Sequence, residues 1–148
     1  MTTVLIAGEK LSVGFDLMFT LEKLGFSVPA VVGSAEQAIA GAMTLAPDVV
    51  LMDIDLRGPH DGVEAAKEIH ARTRIPIVFY VPSPDDVSIA RLREAPLFAL
   101  LSLPLDENVL SETLQRAAIA AQARPKKSGS VPRYTRPDED ESKKSSSG

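Results

Sequence analysis

Pro47-Asp48-Val49-Val50-Leu51-Met52-Asp53-Ile54-Asp55-Leu56 is the stretch on which the fold turns. Pro47 and Asp48 end whatever precedes them. Val49 to Met52 are apolar without alternation, the pattern of a short strand buried on both faces. The run stops on a carboxylate, Asp53.

The same unit repeats on either side. Upstream, Ser34 caps a helix whose inner positions are Ala38, Ile39, Ala42 and Leu45, with Gln37 as the capping-box partner. Before it, Val28–Val32 predicts a strand with Pro29 inside, which fits only a sheet edge. Leu11, Phe15, Met18, Leu21 and Leu24 predict a helical face closed by Gly25, and Val4–Ala7 another buried strand. Downstream, a loop Arg57-Gly58-Pro59-His60 leads to Asp61 as a helix cap, with Val63, Ala66, Ile69 and His70 facing inward. Ile75–Val81 predicts a strand, Pro82-Ser83-Pro84 a turn, and Asp85–Glu94 a short helix. Ala99–Leu103 predicts the fifth strand, stopped by Pro104. Asp106 caps a last helix whose face is Val109, Leu110, Thr113, Leu114, Ala117 and Ala121.

Five strands alternating with five helices predict an α/β fold: a doubly wound five-stranded parallel sheet with helices on both faces. Function in such sheets sits at the carboxyl ends of the strands. The residues there are Gly8, Glu9, Asp53, Val81, Ser102 and Leu103. Glu9 and Asp53 follow strands that can lie side by side, and two carboxylates so placed suit a hard cation such as Mg2+.

Composition narrows the classes. The chain has 148 residues, a net charge of −4, no Cys and no Trp. Without Cys there is no disulfide framework and no thiolate site. Residues 1–124 are acidic, which argues against a nucleic-acid face. The amino terminus has no basic region before its short apolar run, and no stretch is long enough to span a bilayer; the expected location is cytoplasmic. From Pro125 the composition turns to Lys, Ser, Pro and acidic residues, with Val131 and Tyr134 as the apolar exceptions. One domain over 1–124 and a C-terminal tail over 125–148, disordered or ordered by a partner, are expected. His60 and His70 lack metal-ligand spacing. No phosphate-cradling glycine loop and no nucleophile elbow are present.

Taken together, Val4-Leu5-Ile6-Ala7-Gly8-Glu9, the Pro47–Leu56 stretch, Asp61-Gly62-Val63-Glu64-Ala65-Ala66, Ile75-Pro76-Ile77-Val78-Phe79 and Leu103-Pro104 resemble the receiver domains of bacterial two-component response regulators. The resemblance covers residues 3 to about 122. It implies a flavodoxin-like (CheY-like) sheet of order 2-1-3-4-5. It implies a histidine kinase as phosphoryl donor and Asp53 as phosphoacceptor. It also implies Mg2+ held by Glu9, Asp53 and the Asp55 backbone carbonyl. Several positions depart from the family pattern. Gly8 stands where a second acid is expected, Val81 where a Thr or Ser is, Leu103 where a Lys is, and Leu100 where an aromatic switch residue is common.

Val81 keeps the shape of Thr but loses the hydroxyl. Leu103 removes an ammonium whose charge-assisted hydrogen bond is worth about 1.5–3 kcal/mol. Losing a carboxylate at position 8 together with a cation at position 103 leaves the formal pocket charge unchanged. The expectation is an atypical single-domain response regulator that works by protein–protein contact and is not an enzyme. Phosphorylation switching at Asp53 is expected to be weak or absent, and so is Mg2+ binding. Its partners would be a sensor histidine kinase or another signalling protein, and a second copy of itself through Val109, Leu110, Leu114 and Ile119. The competing reading is a small flavodoxin-like enzyme or nucleotide-binding protein.

Overall fold

The computed structural model describes residues 1–82 and 85–123. The expected tail, 125–148, lies outside the described residues, as do Ser83 and Pro84 of the expected turn. The order of elements is β1 (Val4–Ala7), α1 (Leu11–Lys23), β2 (Val31–Val32), α2 (Ala35–Leu45), β3 (Val49–Asp53), α3 (Gly62–Thr73), β4 (Ile77–Val81), α4 (Asp86–Leu92), β5 (Ala99–Ser102) and α5 (Glu107–Ala123). All strand pairs are parallel, and the sheet order is β2-β1-β3-β4-β5.

Alternate strand residues feed two cores. Val50, Met52, Ile77 and Phe79 pack with Ala38, Ala65, Ile69 and Leu92, on the side of α2, α3 and α4. Val49, Leu51, Val78 and Tyr80 pack with Leu17, Leu21, Leu110 and Leu114, on the side of α1 and α5. This two-sided burial is why the strands read as unbroken apolar runs.

Local chemistry sets the element ends. The Ser34 hydroxyl accepts from the Gln37 amide at 3.1 Å, but the Gln37 side chain reaches one residue further back than expected, to the Gly33 amide. Asp61 and Glu64 form a complete capping box. Asp106 Oδ1 accepts from the Asn108 and Val109 amides.

Several expectations need correction. The edge strand is only Val31–Val32, because Pro29 has no N–H to donate. The carbonyls of Ser27 and Ala30 still accept from the Val4 and Ile6 amides. β4 starts two residues later than expected, after Pro76. Phe15 is exposed; α1 faces inward through Gly14, Leu17 and Leu21 instead. A side chain at Gly14 would stand 2.6 Å from the Val31 Cγ1, so glycine lets the helix approach β2 closely. Leu45 is also exposed, and His70 is only half-buried. Leu110 and Leu114, expected on a dimer face, are fully buried core residues. Of that face, Val109 and Ile119 are exposed.

Candidate functional site

Parallel strands leave their carboxyl ends at one edge of the sheet, and the loops after β1, β3, β4 and β5 gather there. Asp53 is the last residue of β3 and lies in register with Tyr80 of β4. Its Oδ1 accepts from the Asp55 amide at 3.1 Å, which turns the chain over the strand end. The Glu9 amide donates to the Asp55 carbonyl at 3.0 Å, stitching the loop after β1 to the loop after β3. The Gly62 amide donates to the Ile54 carbonyl at 2.6 Å. A side chain at Gly62 would overlap the Asp53 carbonyl oxygen and stand 3.0 Å from Ile54, so only glycine lets α3 start this close to the site.

The electrostatics of Asp53 follow from this setting. Burial raises its pKa most, and the neighbouring charges of Asp55 and Glu9 raise it further. The Asp55 and Ile54 amides pull it down. The balance pushes the carboxyl up to about 6.

Two side chains at the site lie beyond the reading of the sequence. Arg91 of α4 donates to Asp55 Oδ1 at 3.1 Å and to Asp61 Oδ2 at 2.9 Å. One guanidinium thus ties α4 to the loop that follows Asp53. Asp61 caps α3 and pairs with Arg91. Burial would raise its pKa, but the Glu64 amide and Arg91 outweigh burial and hold it below the ordinary carboxylate value. Nothing in the linear pattern links Arg91 to Asp55 and Asp61, residues 36 and 30 positions away. Tyr80 is the second. Its ring is 1% exposed and its hydroxyl is buried without a hydrogen-bond partner among the described residues. Burial, and then the charge of Asp53, push the phenol well above its usual pKa. A buried Tyr normally pairs its hydroxyl, so a Tyr inside a strand run is the one signal the sequence offers.

The other residues singled out in the sequence are distributed as follows. Val81 is fully buried and belongs to the core beneath α2, α3 and α4, and Leu100 packs against that same core. Leu103 is half-buried against the opposite core, and its amide donates to the Val81 carbonyl at 2.8 Å. Glu9 is exposed, whereas Gly8 beside it is buried, and the Gly8 amide donates to the Val32 carbonyl. A side chain at Gly8 would overlap the Tyr80 hydroxyl and lie 3.4 Å from the Asp53 Cβ.

The chain has all three residues that the resemblance assigns to Mg2+, but it lacks the neighbouring second acid. Glu9 and Asp53 supply carboxylates. The Asp55 carbonyl accepts from the Glu9 amide and keeps a second lone pair, whereas position 8 supplies no carboxylate and is approached by a neutral phenol. Among the described residues no three His, Cys, Asp or Glu side chains converge to hold a metal. What the residues present lack of the full site is the second acid. No helix of the described residues is long and apolar enough to cross a membrane.

Comparison with known proteins agrees with this architecture. The family model for the response regulator receiver domain matches residues 4–115. The chain is 29% identical over 114 residues to the transcriptional regulatory protein PdtaR of Mycobacterium tuberculosis, covering 77% of this chain and 55% of PdtaR. It is 32% identical over 87 residues to the sensory transduction protein RegX3 of Mycolicibacterium smegmatis, covering 59% of this chain and 37% of RegX3. The chain therefore spans about half or less of these curated relatives. Among solved structures, the signal receiver domain of a modulated diguanylate cyclase from Desulfovibrio desulfuricans superposes with a TM-score of 0.76 at 31% identity, covering 82% of this chain and 97% of that one. The receiver domain of a sensor histidine kinase from Pseudomonas aeruginosa, solved with magnesium coordinated in its active-site cleft, gives 0.72 at 25% identity, covering 79% and 97%.

Proposed function

The chain belongs to the response regulator receiver domain family of two-component signalling, and on that premise we propose that it is an atypical member. In this reading it signals by protein–protein contact, and phosphorylation at Asp53 is weakly coupled to its conformation or not coupled at all. One observation carries this. The groups bearing on the Asp53 charge are burial and two further carboxylates, Asp55 and Glu9, opposed by backbone amides. The positions that would bring a hydroxyl and an ammonium to a phosphoryl group hold Val81, buried in one core, and Leu103, half-buried against the other. Arg91 is engaged with Asp55 and Asp61.

A phosphoryl group on Asp53 adds negative charge to a pocket that already disfavours it. Each charge-assisted hydrogen bond that is missing withholds about 1.5–3 kcal/mol from the phosphorylated state. Asp53 is then retained as an acceptor without the grips that turn acceptance into movement. The partners that suit this reading are a histidine kinase or another signalling protein, met in the cytoplasm. A homodimer through α5 now rests on Val109 and Ile119 alone, since Leu110 and Leu114 are internal.

The test is incubation with acetyl phosphate and Mg2+, read by intact mass and by amide NMR. The expected result is no stable adduct, or an adduct that leaves the resonances of α4 and β5 in place. A long-lived single phosphoryl adduct, abolished by Asp53→Asn and accompanied by shifts in α4 and β5, refutes the proposal.

A further inference from the structure

Gly8 and Tyr80 are distant in sequence and meet at one point in space. A side chain begun at Gly8 would run into the Tyr80 hydroxyl, beside the Asp53 Cβ. The phenol thus stands where any residue-8 side chain would start. It is not drawn there by a hydrogen bond, because its hydroxyl has no partner among the described residues. A buried unpaired hydroxyl costs about 1–3 kcal/mol. The ring is held instead by the core it shares with Val4, Ile6, Leu51 and Leu101.

We infer that Tyr80 is a specificity residue of the Asp53 pocket: its hydroxyl takes the volume that a carboxylate at position 8 would require, and so keeps divalent cations weakly bound. The inference rests on reading the Asp53 pocket as the family's phosphoryl-acceptor site. Mg2+ demands near-octahedral oxygen coordination and keeps several waters. A pocket that has lost one carboxylate, and the room beside it, has one oxygen fewer to hold the metal's waters around Glu9 and Asp53, so the shell forms less favourably. A neutral phenol also fills the gap without adding to the negative charge on Asp53. Residues 8 and 80 are therefore alternatives. An acid at 8 needs the hydroxyl gone. Phe at 80 meets this need, because the ring carbon Cζ lies 3.5 Å from the point where a side chain at 8 begins, an ordinary contact.

The experiment is a double-mutant cycle of Gly8→Asp and Tyr80→Phe, titrated with Mg2+ alone by calorimetry, with urea unfolding of each variant. Wild type and Tyr80→Phe are expected to bind weakly and alike, and Gly8→Asp to be less stable than wild type. The double variant is expected to regain stability relative to Gly8→Asp and to bind Mg2+ at least about tenfold more tightly than either single variant, a change of about 1.4 kcal/mol. If Gly8→Asp does not fold while the double variant does, the steric half is upheld and the metal comparison is made against wild type. Two results overturn the inference: Gly8→Asp alone binding as tightly as the double variant, or the double variant binding no better than wild type. Phosphoryl acceptance by the wild-type chain is read separately by mass. Failure of the parent reading therefore shows in that assay, and failure of this inference in the metal titration.

Discussion

Asp53→Asn should stabilise the folded chain, and only where Asp53 would be ionised. Burial and the Asp55 and Glu9 charges raise the Asp53 carboxyl from 3.8 to about 6 in the folded state. In the unfolded chain it titrates near its ordinary value. Below about pH 4 the carboxyl is protonated in both states and contributes no difference. Between about pH 4 and 6 the unfolded chain ionises while the folded pocket resists, so stability falls as pH rises. Above about pH 6 the deficit is complete. A rise of this size sets a ceiling of about 3 kcal/mol. Asp53 is half-buried, so solvent screening reduces this to about 1–2 kcal/mol. Asn cannot ionise, yet its side-chain oxygen can still accept from the Asp55 amide.

The assay is urea unfolding followed by far-ultraviolet circular dichroism at about pH 4 and pH 8, for wild type and Asp53→Asn, without divalent ions. The gain should be near zero at the lower pH and about 1–2 kcal/mol at the higher, equivalent to about 3–8 °C in Tm for a domain of this size. An Asn variant no more stable than wild type at the higher pH refutes the reasoning. So does a gain of equal size at both pH values, because that gain would come from packing and not from charge.

Three other sets of substitutions probe the framework around the site. Arg91→Ala removes both ion pairs to the loop after β3; partly exposed pairs are worth about 0.2–1 kcal/mol each. The global loss should be small, and faster amide exchange should be confined to α4 and residues 55–61. Gly62→Ala forces a methyl group onto the Asp53 carbonyl and Ile54 and should cost about 1–3 kcal/mol, with shifted amide resonances around Asp53. Leu110→Ala should cost about 2–5 kcal/mol as a buried truncation, whereas Ile119→Ala should change stability by under about 0.5 kcal/mol. Equal effects of the last two in urea unfolding would contradict the placement of α5.

What the sequence revealed and what it hid divide along a physical line. Local signals were legible. The Val49–Met52 run, the Ser34, Asp61 and Asp106 caps, and the alternation of strands with helices each report on neighbours within a few residues, and each found its element. The face of α1 was not legible, because Leu11, Val13, Phe15, Leu17, Met18, Phe19 and Leu21 make it apolar on more than one side. The choice between faces was made by Gly14, which admits Val31 and Ile6 at close range and carries no hydropathy signal. The exposure of Phe15 is a long-range fact of this kind, whereas Leu110 and Leu114 were already on the helical face that periodicity marks and were misplaced only in being assigned to a dimer surface. At the site, Asp53 and Glu9 stood out as carboxylates at strand ends. Arg91 and Tyr80 did not, since their roles exist only once α4 meets the loop after β3 and β4 lies beside β3.

The position of Tyr80 also changes the meaning of Gly8. Charge balance alone would let position 8 hold any neutral residue once the cation expected at position 103 is absent. Ala or Ser would leave the formal charge of the pocket where it is. Sterically they are not equivalent to glycine, because any β-carbon at position 8 overlaps the Tyr80 hydroxyl. Glycine therefore satisfies two separate demands. It withholds a third carboxylate from an Asp53 whose ionisation Glu9 and Asp55 already oppose, and it makes room for the phenol that closes the gap. The two demands separate experimentally. Gly8→Ala keeps the charge and breaks only the fit, so it should lower stability equally at both pH values of the unfolding assay. Gly8→Asp in the Tyr80→Phe background restores the fit and adds charge, so its cost should grow with pH as the carboxylates ionise. A Gly8→Ala variant as stable as wild type would leave charge as the sole reason for glycine at this position.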